Sequence, residues 1–147
     1  MSDESAFRRS IGVWEGTYTL IDRQGNILNH HQSRIEIRQE GNRRFQRNIY
    51  TWADGRTTVY EFQSEFRDGK YYIASPRLKG VVHGVGDDVV VLTWVYKDRP
   101  DDKMSEIIRY LDDRHRCRTW QFVEDGQFTK VMLIEERKVA DSVEEGT

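Results

Sequence analysis

A chain of 147 residues suits one ordinary domain and is too short for two well-packed ones. Its 23 basic and 25 acidic residues leave a formal net charge of -2, which supplies no pull toward nucleic acid or an anionic membrane. A mean hydropathy of -0.80, with no apolar run near the roughly 18 residues that cross a bilayer, excludes a helical membrane protein; the single Cys117 excludes an internal disulfide.

The opening "SDESAFRRS" predicts one short helical turn, with Ser2 or Asp3 as its cap and Phe7 pointing inward. The N-terminus "MSDESAFRRS" contains no apolar leader, so the expected location is cytoplasmic. "IGVWEGTY", Ile11 to Tyr18, reads as the first strand. Gly12, Trp14, Gly16, Tyr18 and Leu20 share its inner face, and Glu15, Thr17 and Thr19 face water. The glycines on either side of Trp14 leave room for its indole and let the strand bend.

After the turn "DRQGN" comes "NHHQSRIEIR", where inward Ile35 and Ile37 carry His31 and Ser33 inward and turn Arg34, Glu36 and Arg38 outward. The third strand, after "EGN", has two readings: Phe45, Arg47 and Ile49 inside, or Gln46, Asn48, Tyr50 and Trp52. Beyond "ADG", the alternation of "TVYEFQSEF" puts Tyr60, Phe62, Ser64 and Phe66 inside. "RDG" follows, and then His83 in "VVHGVG", between glycines and valines. After "GDD", the strand "VVVLTWVY" offers Val90, Leu92, Trp94 and Tyr96 to the interior. "KDRPDDK" is the one connection long and polar enough to cross between two sheets. "LDD" and "EDG" then bracket a strand with Arg118, Trp120 and Phe122 inside, and a last strand ends in "LIEERKV". Residues 1–139 form a single domain in this reading, and 140–147, "ADSVEEGT", a disordered acidic tail.

About ten short strands joined by sequential hairpins predict an all-β fold, an antiparallel up-and-down barrel that closes on itself. A sandwich is the competing architecture. The Gly-x-Trp near the first strand, with Arg137 at the end of the last, resembles the calycin superfamily, in which such an arginine lies across the tryptophan. The wider pattern "IGVWEGTYTLIDRQGNIL" resembles a lipocalin-like family of unknown function known mainly from cyanobacterial proteins. The resemblance implies a plan like that of fatty-acid-binding proteins, phycobilin lyases and phenolic acid decarboxylases. It carries no catalytic residue across, because the decarboxylase spacing is not reproduced.

An interior of rings with polar tips suits a small, largely apolar, aromatic ligand, although the same rings could simply fill the barrel. The ligand-binding candidates are Tyr18, Ser33, Arg47, Tyr60, Phe62, Trp94, Tyr96 and Trp120. An inward arginine, Arg118 first and Arg47 second, suggests a carboxylate or carbonyl on that ligand. The alternative is a cofactor-independent lyase, isomerase or hydratase with His31, His83 and Arg118 as acid-base and oxyanion candidates. No elbow, phosphate loop, dinucleotide fingerprint or zinc spacing occurs, so neither cofactor nor metal is expected. The expected partner is a small hydrophobic or aromatic molecule, not nucleic acid or membrane, and a homodimer is possible.

Overall fold

Two Asp-Gly pairs bend the chain where both residues accept positive φ. Asp68 and Gly69 lie at 53° and 78°, and Asp125 and Gly126 at 51° and 78°, the geometry of two-residue hairpins matched to strand twist. The computed structural model describes residues 2–143. These turns and others like them separate a helix, α1 (Ser2–Arg9), and ten strands. The strands are β1 (Gly12–Asp22), β2 (Ile27–Glu40), β3 (Arg43–Thr51), β4 (Thr57–Arg67), β5 (Lys70–Ala74), β6 (Leu78–Val85), β7 (Val89–Tyr96), β8 (Arg99–Asp112), β9 (His115–Glu124) and β10 (Gln127–Ala140). Each pairs antiparallel with the next and β10 pairs back onto β1, so the expected up-and-down barrel closes with no unpaired edge.

"KDRPDDK" is not a crossover. Lys97 and Asp98 make a tight turn, and Arg99, paired with Tyr96, already belongs to β8. Its polarity comes instead from the exposed start of that strand.

The helix closes the barrel end that carries the β2–β3, β4–β5, β6–β7 and β8–β9 turns. Its Ala6 and Phe7 are buried, and the Phe7 ring meets Tyr71 edge-on with centroids 4.8 Å apart. Arg9 donates to the Asp87 carbonyl at 2.8 Å and to Asp88 at 2.6 Å in the β6–β7 turn. Arg44 of β3 donates to the Phe7 carbonyl and to Ser10 Oγ, both at 2.6 Å, placing a cation at the negative end of the helix dipole. The cap expected at Ser2 or Asp3 lies outside the described side chains, and residues 144–147 of the expected tail lie outside the described residues. Ala140, assigned to that tail, ends β10 and pairs with Val13.

Trp14 is fully buried, as its inward position requires, and its Nε1 donates to the Ser10 carbonyl at 3.0 Å. The glycine beside it serves another purpose than room for the indole. A Cβ at Gly16 would lie 1.9 Å from the Glu135 carbonyl oxygen and 2.9 Å from Glu136 Cα, so the missing side chain lets β10 approach β1. The expected Arg137 contact is also corrected. Arg137 is exposed, because the inward row of β10 is Met132, Ile134 and Glu136. A bulge between Val13 and Trp14 sets Trp14 opposite Lys138, and the guanidinium over its ring, at 4.3 Å, is that of Arg116.

Candidate functional site

Eight strands already enclose room for one small ligand, and ten enclose more than side chains fill. Between α1 and the far end, on the side walled by β2 to β9, a cavity of about 140 Å³ remains. Its apolar wall comes from Phe62, Ile73, Leu78, Val82, Leu92, Trp94 and Tyr96, all inward by strand alternation. Trp94 and Trp120 cross edge-on with centroids 5.3 Å apart. A dry cavity of about 150 Å³ in a protein core is enough to bind benzene, so this space is sized for one ring system.

The opposite wall is ionic. Arg118 donates from Nε to Glu106 at 2.5 Å, and from Nη1 to Glu136 at 2.9 Å and to Tyr18 Oη at 2.9 Å. Arg116 donates from Nε to the other Glu136 oxygen at 2.6 Å and from Nη1 to Tyr110 Oη at 3.3 Å. None of the four charged side chains is more than 5% exposed, and Glu136 is wholly enclosed. The ladder builds the cluster: Arg116 faces Tyr110 across β8 and Glu136 across β10, and Arg118 lies two residues along the same inward row. Two guanidiniums meet two carboxylates, so the cluster is neutral.

The titration behaviour follows from that pairing. Burial pushes Arg118 toward losing its proton, but the Glu106 and Glu136 carboxylates outweigh it and raise the pKa well above the ordinary value. Burial would raise Glu136, and Arg116 and Arg118 hold it below the ordinary value instead. Tyr18 is raised well above an ordinary phenol, chiefly by burial, and is a neutral donor or acceptor at any physiological pH. Arg44 also borders the cavity; burial lowers its pKa, and its bonds to Phe7, Ser10 and Gln39 occupy it in holding the helix.

The candidates fall into three places. Phe62, Trp94, Tyr96, Arg118 and Trp120 border the cavity. Tyr18, His31, Ser33 and Tyr60 point inward but pack beside it: His31 is stacked between Tyr18 and Trp52, with centroids 4.8 Å and 4.7 Å away, and Tyr60 packs on Tyr50 at 5.8 Å. Neither ring nitrogen of His31, nor Ser33 Oγ, has a hydrogen-bond partner among the described residues. Arg47 and His83 are on the outside. β3 adopts the register with Gln46, Asn48 and Tyr50 within, which leaves Arg47 exposed near Glu36. On β6 the inward residue is Val82, so His83 and its ladder partner Val91 face outward. Among the described residues no group of three His, Cys, Asp or Glu side chains is placed to hold a metal, and no helix is long and apolar enough to cross a membrane.

Glu106, Arg116, Glu136 and Arg44 were not singled out by the sequence. The inward parity of β9 does carry a signal, since Arg116 stands two residues before Arg118. β8 and β10 conceal theirs: Ile107, Leu111, Leu133 and Val139 are exposed, so apolar residues occupy both faces and the alternation cannot say which glutamate is inside.

No protein-family model and no characterised protein sequence matches the chain. Solved structures do. An S-type phycobiliprotein lyase from Guillardia theta superposes with a TM-score of 0.74 at 16% identity, over 94% of this chain and 93% of that one. A DUF3598-family protein of unknown function from Nostoc punctiforme superposes with a TM-score of 0.72 at 14% identity over 89% of this chain; the chain spans about half, 48%, of its length. The barrel protein mFAP2b bound to DFHBI gives 0.53 at 12% identity, over 93% and 99% of the two chains. At these identities the likeness is one of fold, and the fold is a closed ten-strand antiparallel barrel.

Proposed function

We propose that the protein binds a small, largely apolar, aromatic molecule inside the barrel. The observation that carries this reading is the cavity of about 140 Å³ within the barrel, with aromatic and aliphatic walls on one side and a hydrogen-bonding wall on the other. Ring faces such as those of Trp94, Trp120 and Phe62 favour an aromatic ligand through edge-to-face packing worth about 0.5–1.5 kcal/mol per pair beyond buried area. Two structures of the same fold support the reading, one an S-type phycobiliprotein lyase and one bound to DFHBI. The ligand enters an already formed space, so little binding energy is spent on ordering the protein. The lyase, isomerase or hydratase alternative is not adopted, because His83 lies on the outer surface and His31 is held between rings beside the cavity.

The test is native mass spectrometry of the purified protein for a retained small molecule, paired with Val82→Phe, which adds a ring to the cavity wall. Retention of an aromatic molecule by the wild type and its loss from a folded Val82→Phe variant is the expected result. Equal retention by both would place the ligand elsewhere and defeat the proposal.

A further inference from the structure

An arginine in a barrel interior ordinarily signals an anionic ligand, and Arg118 raises that expectation here. The charge distribution opposes it. Arg116 and Arg118 are already matched by Glu106 and Glu136 at 2.5–2.9 Å, and Arg44 is matched by the carbonyl end of α1. A carboxylate arriving at this wall would find both guanidiniums already paired and would stand close to Glu106; Arg44, which has no carboxylate partner among the described residues, directs its donors to Phe7, Ser10 and Gln39, and its Nε is sealed.

What the wall does offer is unused hydrogen-bonding capacity of both kinds. Each arginine spends only Nε and Nη1, and Glu106 spends only Oε2. The Nη2 groups of Arg116 and Arg118 and the Oε1 of Glu106 make no hydrogen bond among the described residues and are not among the sealed, unpartnered atoms. All three side chains border the cavity.

Resting on the binding function proposed above, we infer that the ligand is a neutral aromatic heterocycle that presents a ring N–H beside a carbonyl, the edge of a lactam or imide. Its N–H donates to Glu106 Oε1 and its carbonyl oxygen accepts from an arginine Nη2, while the ring lies against Trp94 and Trp120. Each such bond is made to an acidic or basic side chain that is almost wholly buried, and charge-assisted hydrogen bonds are roughly twice as strong as neutral ones. A ligand lacking the N–H leaves Glu106 unanswered, and one carrying a carboxylate adds repulsion.

The experiment is isothermal titration calorimetry of the wild-type protein with three bicyclic probes: 2-quinolone, N-methyl-2-quinolone and 2-naphthoate. The expected result is that 2-quinolone binds at least tenfold more tightly than either of the others. Glu106→Gln leaves Arg116 and Arg118 with one carboxylate between them, and in a folded variant the order should invert, with 2-naphthoate gaining tenfold or more. If 2-naphthoate or the N-methyl compound binds the wild type as well as 2-quinolone, the lactam inference is overturned and the aromatic-binding function stands. If none of the three binds, the binding function fails and this inference falls with it. The wild-type comparison decides the matter even where Glu106→Gln does not fold.

Discussion

Replacing Glu136 by Gln tests whether the buried charge cluster holds the barrel together. The carboxylate accepts from Arg116 on one oxygen and from Arg118 on the other, and it is fully enclosed. Gln keeps the shape but offers one acceptor oxygen, and its amide N–H₂ faces a guanidinium. Arg118 retains Glu106, whereas Arg116 loses its only carboxylate partner and remains buried. Breaking a buried pair in this way costs about 3–5 kcal/mol, against a total stability of about 5–15 kcal/mol for a domain. An unfolding entropy of about 2.1 cal/mol/K per residue converts each kcal/mol to about 3 °C here, so the melting temperature should fall by about 10–15 °C. Thermal unfolding by circular dichroism reads this directly, with the outward neighbour variant Glu135→Gln as the control expected to stay within about 0.5 kcal/mol of wild type. The pH dependence has a fixed sign. Because the folded pKa of Glu136 is depressed, its contribution is fully present above the unfolded value of about 4.3 and is lost as pH falls through the folded value. A loss below about 1 kcal/mol, equal in the two variants, would refute the claim that the cluster is a linchpin of the fold.

Gly16→Ala should destabilise by about 1–3 kcal/mol or more, since a Cβ 1.9 Å from the Glu135 carbonyl oxygen must push β10 away; a variant as stable as wild type would contradict the close approach. His31 is buried without partners and its pKa is lowered, chiefly by burial, so stability should be complete above about pH 6.5 and decline on acidification toward its folded value. In His31→Phe that part of the acid dependence should vanish from urea denaturation curves, and its persistence would assign it to another group. The Trp14 indole N–H resonance should move in Arg116→Gln and stay fixed in Arg137→Gln, because the guanidinium over the ring belongs to Arg116; a shift caused only by Arg137→Gln would reverse that assignment.

The fold was legible because its determinants are local. Asp68-Gly69 and Asp125-Gly126 announce hairpins through backbone preference alone, and alternation in β1, β4 and β7 names the inward residues correctly down to Trp14, Phe62 and Trp94. Closure followed from the number of consecutive hairpins. The site was legible only where one face of a strand is plainly polar. β3 carries polar residues on both faces, Arg43 and Arg47 on one and Arg44, Gln46 and Asn48 on the other, so Arg47 and Gln46 compete for the interior on equal terms. β10 presents Val131, Leu133 and Val139 on one face and Met132 and Ile134 on the other, so the alternation alone does not tell that Glu136 is inside and Arg137 outside. Charge neutralisation inside the barrel depends on three strands at once, β8, β9 and β10, and no single stretch of sequence contains it.

An aromatic ligand inside the barrel would register in methyl-resolved NMR of the protein titrated separately with 2-quinolone and 2-naphthoate to about 1 mM, where even weak binding is seen. Saturable shifts are expected at the cavity methyls of Ile73, Leu78, Val82 and Leu92 with at least one probe, while the outward methyls of Leu111, Leu133 and Val139 hold still. Shifts confined to the outward methyls, or none with either probe, would contradict it.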